Sequence, residues 1–315
     1  MQNSANFLAT MMTKNNMDGV MTILELLSWA GDALKDADTA RAIPQNARLD
    51  AQVLLSHVLG VNSAYLFTHG DETIATGKIE TFQRLIERRS RYEPVAYLTQ
   101  TKAFFGRDFF VNNNVLIPRP DTEVLVEETK KVVTPASTII DVGTGSGAIA
   151  ITLALETMSP TIAIDISLDA IAVAKHNAKT LGAKLAIIQG DLFEPITKIN
   201  PPPSDHFVIV ANLPYLTPWQ WEALDPDVKT YEPKLALVGG ADGLALYDKL
   251  CEQLRSYIHE QSRQGRRIAI DLFIEIDPSQ KATAPTLIKS HFPTAQLSMI
   301  LDLAKKERVV HAAIR

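Results

Sequence analysis

The stretch V-I-V-A-N-L-P-Y (208–215) ends an apolar run with residues that can hold a planar amide or amine. The side-chain oxygen of Asn212 and the backbone carbonyl of Leu213 are two acceptors for an N–H group, and Tyr215 offers a flat face for stacking. Pro214 stiffens the turn. A weakly nucleophilic nitrogen held in this way is oriented for attack on an electrophilic methyl carbon, so the loop is typical of N-methyl transfer. A plain turn after a strand is the alternative interpretation.

A glycine-rich turn upstream indicates a nucleotide-like ligand. D-V-G-T-G-S-G-A (141–148) follows an apolar run, and its three glycines allow a sharp turn and the close approach of a ligand. Asp165 follows the next apolar run, where a carboxylate can accept both hydroxyls of a ribose. A tight strand–helix connection and a helix cap are the alternative roles of these residues.

Another acidic residue extends the series to a third strand end. Asp191, in G-D-L-F (190–193), can accept an adenine amino group, with Leu192 or Phe193 against the ring. The spacing G-x-G-x-G differs from the dinucleotide fingerprint, and no Lys-Ser or Lys-Thr pair follows Gly147 as in a P-loop. A glycine turn, a diol acceptor and an adenine pocket without a phosphate site together predict S-adenosylmethionine rather than NAD or ATP.

Short apolar strands alternating with helices position these residues. We predict strands at 138–142, 161–165, 185–189, 206–211, 267–276, 295–302 and 307–314. Continuously apolar strands of this kind predict an α/β fold with a mainly parallel sheet that is covered on both faces. Such sheets bind ligands at the carboxyl ends of their strands, where the glycine turn, the acidic residues and Asn212 all fall.

The N-terminal third has a mainly helical pattern instead of alternating strands and helices. Helical spacing of apolar residues predicts helices within 21–70, with a stop at Gly60, and over about 75–91. Val95–Phe110 is aromatic and β-prone and predicts a short hairpin that turns at Gly106. In L-I-P-R-P-D-T-E (116–123), Asp121 or Thr122 is expected to cap the next helix. The predicted parts are a flexible tail (1–20), a helical domain (21–92), a linker hairpin (93–117) and a catalytic domain (118–315).

The composition excludes several functional classes. A formal net charge of −5 argues against a protein that coats nucleic acid by electrostatics. Cys251 stands alone, so we expect neither a disulfide framework nor a metal site built on cysteine. No apolar run reaches membrane-spanning length, and we expect a cytoplasmic protein with no membrane partner. Seven Lys or Arg residues within 78–107 predict either a solvated helix face or a docking patch for a charged partner.

The chain resembles the HemK/PrmC class of protein-(glutamine-N5) methyltransferases, which modify the glutamine of the Gly-Gly-Gln motif in peptide chain release factors. The resemblance runs from about residue 21 to 315. It rests on these stretches: R-L-D-A-Q-V-L-L-S-H-V-L-G (48–60), E-P-V-A-Y-L (93–98), F-F-G-R-D-F (104–109), L-I-P-R-P-D-T-E (116–123), D-V-G-T-G-S-G-A-I-A (141–150), G-D-L-F-E-P (190–195), Y-E-P-K-L-A-L-V-G-G-A-D-G-L (231–244) and D-L-A-K-K-E-R-V-V (302–310).

The resemblance implies a seven-stranded, Rossmann-like class I methyltransferase domain preceded by a helical domain that recognises the release factor. It also implies binding of S-adenosylmethionine, without a metal, by the following residues: Gly143, Thr144, Gly145, Ser146, Gly147, Asp165, Asp191, Leu192 and Asn212, with Arg119 closing over the methionine end. The loop Asn212–Tyr215 corresponds to the Asn-Pro-Pro-Tyr substrate loop of the family, and its catalytic residues would be Asn212, Pro214 and Tyr215.

The chain departs from the family pattern at three positions. Leu213 replaces the first proline of the loop, Asp277 replaces a glycine, and Lys305 replaces another glycine. Because the chemistry uses the carbonyl of residue 213, we expect the loop to be looser but competent.

Three other functions share the same loop chemistry. A glutamine methyltransferase of a ribosomal protein would have nearly the same core, and Asn-Leu-Pro-Tyr also resembles the loop of rRNA and DNA adenine-N6 methyltransferases. A scaffold that binds adenosine without turnover is the non-enzymatic alternative. The acidic net charge and the helical domain favour a protein substrate, and contact with ribosomal components stays open.

Overall fold

The computed structural model describes residues 20–38, 46–199 and 203–315. It divides into two compact units, the first ending at Gln100 and the second running from Thr101 to Arg315. Each unit contains its own cluster of buried hydrophobic residues. The predicted flexible tail lies outside the described residues, apart from Val20.

Helices build the N-terminal unit. They are α1 (Ile23–Asp38), α2 (Ala47–Leu59), α3 (Ser63–Thr68), α4 (Thr76–Ser90) and α5 (Val95–Thr99), with a short antiparallel pair, β1 (Met21–Thr22) and β2 (Thr73–Ile74). Ile23, Leu26 and Ala30 recur at helical spacing and are all fully buried, so the predicted apolar face of the first helix is confirmed. The predicted end of the second helix before Gly60 is also confirmed.

Most cations of the stretch 78–107 bind within their own unit. Six of them do so: Lys78 with the carbonyl of Val58, Arg84 with the Thr81 hydroxyl, Arg88 with Glu93, Arg89 with Asp50, Arg91 with Glu87 and Arg107 with Glu156. The pair between Arg89 and Asp50 is buried, with Nε and Oδ2 2.8 Å apart, and therefore belongs to the core of the unit. These pairings favour a structural use of the stretch over a docking patch.

The hairpin predicted over Val95–Phe110 is wrong in its first half. Residues Val95–Thr99 form helix α5, and the antiparallel pair β3 (Thr101–Phe104) and β4 (Arg107–Phe110) follows, with Gly106 in the turn. Pro94 stands at the N-cap of α5, and Tyr97 and Leu98 are buried. Helical spacing places both side chains in the core, so burial overrides the β propensity of the aromatic residues.

In the described part of the second unit, seven strands form one mixed sheet. They are β5 (Ser137–Val142), β6 (Thr161–Asp165), β7 (Ala186–Gln189), β8 (His206–Ala211), β9 (Ala269–Glu275), β10 (Gln296–Leu301) and β11 (Glu307–Ile314). Their order is β10-β11-β9-β8-β5-β6-β7, with β11 antiparallel to both neighbours and the other pairs parallel. The predicted strands and the seven-stranded Rossmann-like sheet are confirmed.

Helices cover both faces of the sheet. They are α6 (Glu123–Lys130), α7 (Ala148–Thr157), α8 (Leu168–Leu181), α9 (Glu194–Thr197), α10 (Pro218–Glu222), α11 (Pro226–Tyr231), α12 (Ala245–Arg263) and α13 (Thr283–His291), with single 3₁₀ turns at Pro120–Thr122, Lys234–Ala236 and Pro278–Gln280. Neighbouring residues of β5 point to opposite faces: Ile139 packs in the cluster that contains α6 and α7, and Ile140 in the cluster that contains α12.

The predicted cap of α6 is wrong. Thr122 stands at the N-cap, but no side chain there accepts a hydrogen bond from the first turn. The Thr122 hydroxyl instead accepts from the side chain of Asn212, and Asp121 pairs with Arg308 at 3.3 Å. Local spacing predicts that Asp121 or Thr122 caps the helix, but both side chains instead bind residues that are distant in the sequence.

Candidate active site

A cleft of about 230 Å³ opens where β5, β6, β7 and β8 end. Its lining includes a segment that follows each of these four strands. Most of the predicted site residues line it: Arg119, Gly143, Thr144, Gly145, Ser146, Asp165, Asp191, Leu192, Asn212, Leu213 and Pro214. Gly147 and Tyr215 do not belong to this lining. The fold thus brings residues that are nearly one hundred positions apart to one site.

The glycine turn is pinned to the neighbouring strand. The N–H groups of Gly143 and Thr144 both donate to the carbonyl of Ile164, at 2.8 and 2.9 Å. Gly147 has φ 82°, and a Cβ there would lie 2.8 Å from Ile151 Cδ1 and 3.2 Å from Ala174 Cβ. Glycine at 147 therefore allows α7 and α8 to pack closely, which is a structural role.

Asp165 closes the glycine turn and does not cap the next helix, whose N-cap is Ser167. Its Oδ2 accepts the N–H of Gly145 at 2.8 Å, and its Oδ1 accepts the N–H of Ser167 at 2.9 Å. Burial raises the pKa of Asp165, although these hydrogen bonds oppose the shift. Each carboxylate oxygen has a second lone pair, so the side chain can close the glycine turn and still accept from a ligand in the cleft.

Asp141 lies behind the turn and was not predicted as a site residue. It is fully buried, and its Oδ2 accepts from the Thr144 hydroxyl at 2.6 Å and from the N–H of Ala150 at 3.1 Å. Burial raises the pKa of Asp141 to about 7. Among the described residues, its Oδ1 has no hydrogen-bond partner. The signal in the sequence is the acidic residue immediately before the glycine turn.

The third strand end supplies an acid and apolar walls. Asp191 lines the cleft and forms an ion pair with Lys249, and Leu192 is a buried part of the same wall. Phe193 lies instead in the core, edge-on to other aromatic rings, so Leu192 is the residue of this pair that faces the cleft. Ile166 also lines the cleft and is 55% exposed. The feature of the sequence that could have indicated this role is its position as an apolar residue directly after Asp165.

Arg119 is held at the cleft by a residue that the sequence analysis did not select. Its guanidinium lies 2.5 Å from Oε1 of Glu232, which is only 5% exposed. The second oxygen of Glu232 accepts the N–H of Ile117 at 3.1 Å. Burial raises the pKa of Glu232, although the charge of Arg119 opposes the shift. Glu232 thus fixes the segment that carries Arg119.

The loop after β8 is anchored at two consecutive residues. The side-chain nitrogen of Asn212 donates to Thr122 Oγ1 at 3.2 Å, which leaves the side-chain oxygen as the end of the amide that can accept from a substrate. The N–H of Leu213 donates to the hydroxyl of the buried Tyr247 at 3.1 Å. A proline at 213 has no N–H, so this anchor is available only because the chain carries leucine there.

Tyr215 contacts an acidic residue away from the cleft lining. Its hydroxyl donates to Oε1 of Glu275 at 3.4 Å. Burial and the charge of Glu275 raise the pKa of Tyr215, which therefore stays protonated. Glu275 is 1% exposed, and burial raises its pKa to about 7, while the nearby Thr122 hydroxyl and the charge of Arg308 oppose the shift. Its Oε2 has no hydrogen-bond partner among the described residues.

Two glycines let another segment pack directly on this loop. The N–H of Leu216 donates to the carbonyl of Leu237 at 3.0 Å, and the N–H of Gly239 donates back to the carbonyl of Leu216 at 2.9 Å. A Cβ on Gly239 would lie 2.0 Å from the carbonyl oxygen of Pro214, and one on Gly243 would lie 2.0 Å from that of Tyr215. Both glycines belong to a stretch that carries the family resemblance, but their spacing alone predicts no role for them.

Comparisons with known proteins identify the family. Residues 25–99 match the model of the PrmC N-terminal domain, and residues 134–226 match the model of a methyltransferase domain. A release factor glutamine methyltransferase from Bacillus cereus is 36% identical over 298 residues, covering 93% of this chain and 99% of that protein. The chain belongs to the release factor glutamine methyltransferase family.

The chain is also similar to a second curated relative and, more distantly, to a solved structure. The family member from Bacillus subtilis is 35% identical over 300 residues, with 93% of this chain and 98% of that protein covered. A solved methyltransferase structure from Pyrococcus furiosus is 15% identical, covers 72% of this chain and 98% of its own, and has a TM-score of 0.47.

No described helix has the length and apolar composition needed to cross a membrane. Within the same residues, no group of three or more His, Cys, Asp or Glu side chains is arranged to hold a metal ion.

Proposed function

We propose that this protein transfers a methyl group from S-adenosylmethionine to the side-chain amide nitrogen of the glutamine in the Gly-Gly-Gln motif of peptide chain release factors. The observation that carries the proposal is the anchored amide of Asn212 at the end of β8. Its nitrogen is engaged by Thr122, so its oxygen is the acceptor for a substrate N–H. Relatives with the release factor name match almost the whole chain and support this substrate.

The residues of the cleft fit S-adenosylmethionine, which supplies an electrophilic methyl group on a sulfonium. The open lone pairs of Asp165 suit the ribose hydroxyls, and Asp191 with Leu192 suits the adenine. The turn Gly143–Gly147 and Arg119 would hold the methionine end. Asp141 lies behind this turn rather than in the cleft lining, and its buried Oδ1 has no hydrogen-bond partner among the described residues.

The residues of this protein contribute to the reaction by orienting the substrate amide nitrogen. An amide nitrogen is a poor nucleophile, and two acceptors, the Asn212 oxygen and the Leu213 carbonyl, would fix it in line with the methyl group. Pro214 lines the cleft beside them and limits the motion of the loop. The stacking face proposed for Tyr215 stays a prediction, since its hydroxyl is engaged with Glu275 outside the cleft lining.

The test is a transfer assay with labelled S-adenosylmethionine and, in separate reactions, a release factor, a ribosomal protein and rRNA. We expect label in the release factor, at the glutamine of its Gly-Gly-Gln motif. Label only in the ribosomal protein or only in RNA would contradict the proposal, and cofactor binding without transfer to any of them would support the scaffold interpretation.

The predicted cytoplasmic location stays a prediction.

Asn212→Ala is expected to lower kcat by about 100-fold or more, because it removes a preorganised group from the transition state. Cofactor affinity, measured by calorimetry, should stay within several-fold of the unchanged protein. Asn113→Ala is the matched control, since Asn113 is exposed and lies outside the cleft lining. An Asn212→Ala variant that keeps its activity would refute the assigned role.

A further inference from the structure

The amide of Asn212 is held by a buried hydroxyl that lies beside a buried carboxylate. Its Nδ2 donates to the Thr122 hydroxyl at 3.2 Å, and that hydroxyl lies near enough to Glu275 to lower the pKa of its carboxyl group, whose Oε2 has no hydrogen-bond partner among the described residues. Thr122 and Glu275 are 3% and 1% exposed, so both side chains are largely shielded from water. The three residues come from three places in the chain, namely the start of α6, the end of β9 and the loop after β8.

Which group donates and which accepts among Asn212, Thr122 and Glu275 follows from the number of protons that each side chain carries. A threonine hydroxyl has one proton to donate, and an ionised carboxylate can only accept. When Thr122 donates to Glu275, its lone pairs are left for Asn212, and only the NH₂ end of the amide can meet them. The amide oxygen and nitrogen have nearly the same shape, so these partners decide which end turns toward the cleft.

Glu275 is itself held in place from several sides. The Tyr215 hydroxyl donates to its Oε1 at 3.4 Å, and the Tyr247 hydroxyl donates to its backbone carbonyl at 2.5 Å. Arg308 contributes a positive charge and Asp121 a negative charge nearby. These contacts fix Oε1 and the backbone of Glu275, and Oε2 is the atom left for the Thr122 hydroxyl.

We propose that Thr122, acting with Glu275, is a positioning residue that sets the orientation of the Asn212 amide, so that its oxygen rather than its nitrogen faces the substrate. The inference rests on the proposed function and extends it to a residue that does not touch the reacting atoms. Because the Thr122 hydroxyl caps no helix, its removal should affect Asn212 rather than the stability of α6.

The test compares Thr122→Val with Thr122→Ser. Valine has the shape of threonine but lacks the hydroxyl, whereas serine keeps it. With a release factor as substrate, we expect Thr122→Val to lower kcat by about 10- to 100-fold with little change in KM, because the loss is one of orientation. Thr122→Ser should stay within about threefold of the unchanged protein. Equal losses in both variants, or none in Thr122→Val, would overturn the inference.

A second readout does not depend on activity. In ¹⁵N-labelled full-length protein, the side-chain NH₂ signals of Asn212 can be assigned by their absence in Asn212→Asp. We expect Thr122→Val to shift these signals upfield and Thr122→Ser to restore them. Unchanged signals in Thr122→Val would overturn the inference whatever the activity. If the signals respond as expected but the release factor is not methylated, the proposed function fails and the orienting role of Thr122 stands.

Discussion

Glu275 is a carboxylate whose surroundings disfavour its charge. Burial raises its pKa to about 7 from an ordinary value of 4.5, although Thr122, Arg308 and Tyr215 oppose the shift and Asp121 adds to it. Between these two values the folded state holds more protons than the unfolded state. The free energy of unfolding that depends on Glu275 therefore falls as the pH rises through this range.

This titration predicts a pH dependence of methyl transfer. In the proposed arrangement Thr122 donates to Glu275 when that carboxylate is ionised, so kcat should rise with pH up to about 7 and fall by up to about tenfold per unit below that value. Steady-state rates between pH 5.5 and 8.5 would measure this profile.

Two variants identify the group whose ionisation causes the pH dependence of kcat. Glu275→Gln keeps an acceptor for Thr122 at every pH, so the inflection near 7 should disappear. Burial also raises the pKa of Asp141 to about 7, and Asp141→Asn should leave the inflection in place. A profile that Asp141→Asn abolishes and Glu275→Gln retains would contradict the role of Glu275.

At the scale of elements, the substrate loop depends on a segment that contributes backbone rather than side chains. Residues Leu237–Gly243 lie against Pro214–Leu216 through two backbone hydrogen bonds and two glycine contacts. The Gln280 side chain closes the arrangement by donating to the carbonyls of Tyr215 and Asp242. The loop is therefore held along its length by groups that no side-chain motif reveals.

Gly239→Ala is expected to lower the free energy of unfolding by about 1–3 kcal/mol, because its Cβ would meet the carbonyl of Pro214 at 2.0 Å and force the two backbones apart. Chemical denaturation would measure the loss, and kcat should fall with it. Gly77→Ala is the matched control: Gly77 lies in α4, and a Cβ there has no neighbour within 4 Å. Equal stability of the two variants would argue against a role for close packing at Gly239.

At the scale of the whole molecule, each unit has its own hydrophobic core, and the cleft is lined entirely by residues of the second unit. The proposed chemistry and the proposed cofactor site therefore both fall in the second unit. The resemblance to the family leaves substrate recognition to the helical unit.

A fragment of residues 101–315 tests this division. We expect it to unfold cooperatively and to bind S-adenosylmethionine within about tenfold of the full chain, since the cofactor residues all lie in it. Its KM for a release factor should rise by much more than its affinity for the cofactor falls. A fragment that folds and keeps the KM of the full chain would remove the recognition role from the N-terminal unit.

The sequence predicted the sheet and most of the cleft because both follow from local patterns. Apolar strands, the glycine turn and a polar residue at each strand end are visible within a few positions of one another, and ligands bind where parallel strands end. Glu232, Thr122 and Glu275 were missed because their roles depend on partners about 90 to 150 positions away. Helix α5 was missed because burial outweighed the propensity of its residues.

One contact in the cleft joins the glycine turn after β5 to the loop after β8. A Cβ on Gly143 would lie 2.8 Å from the side chain of Leu213, so the loop after β8 rests directly on the glycine turn, and the proposed substrate and cofactor would share a wall. Displacement of either segment would be felt by the other. If the cofactor tightens the binding of the release factor through this wall, the release factor must tighten the binding of the cofactor by the same factor, because a coupling free energy is reciprocal.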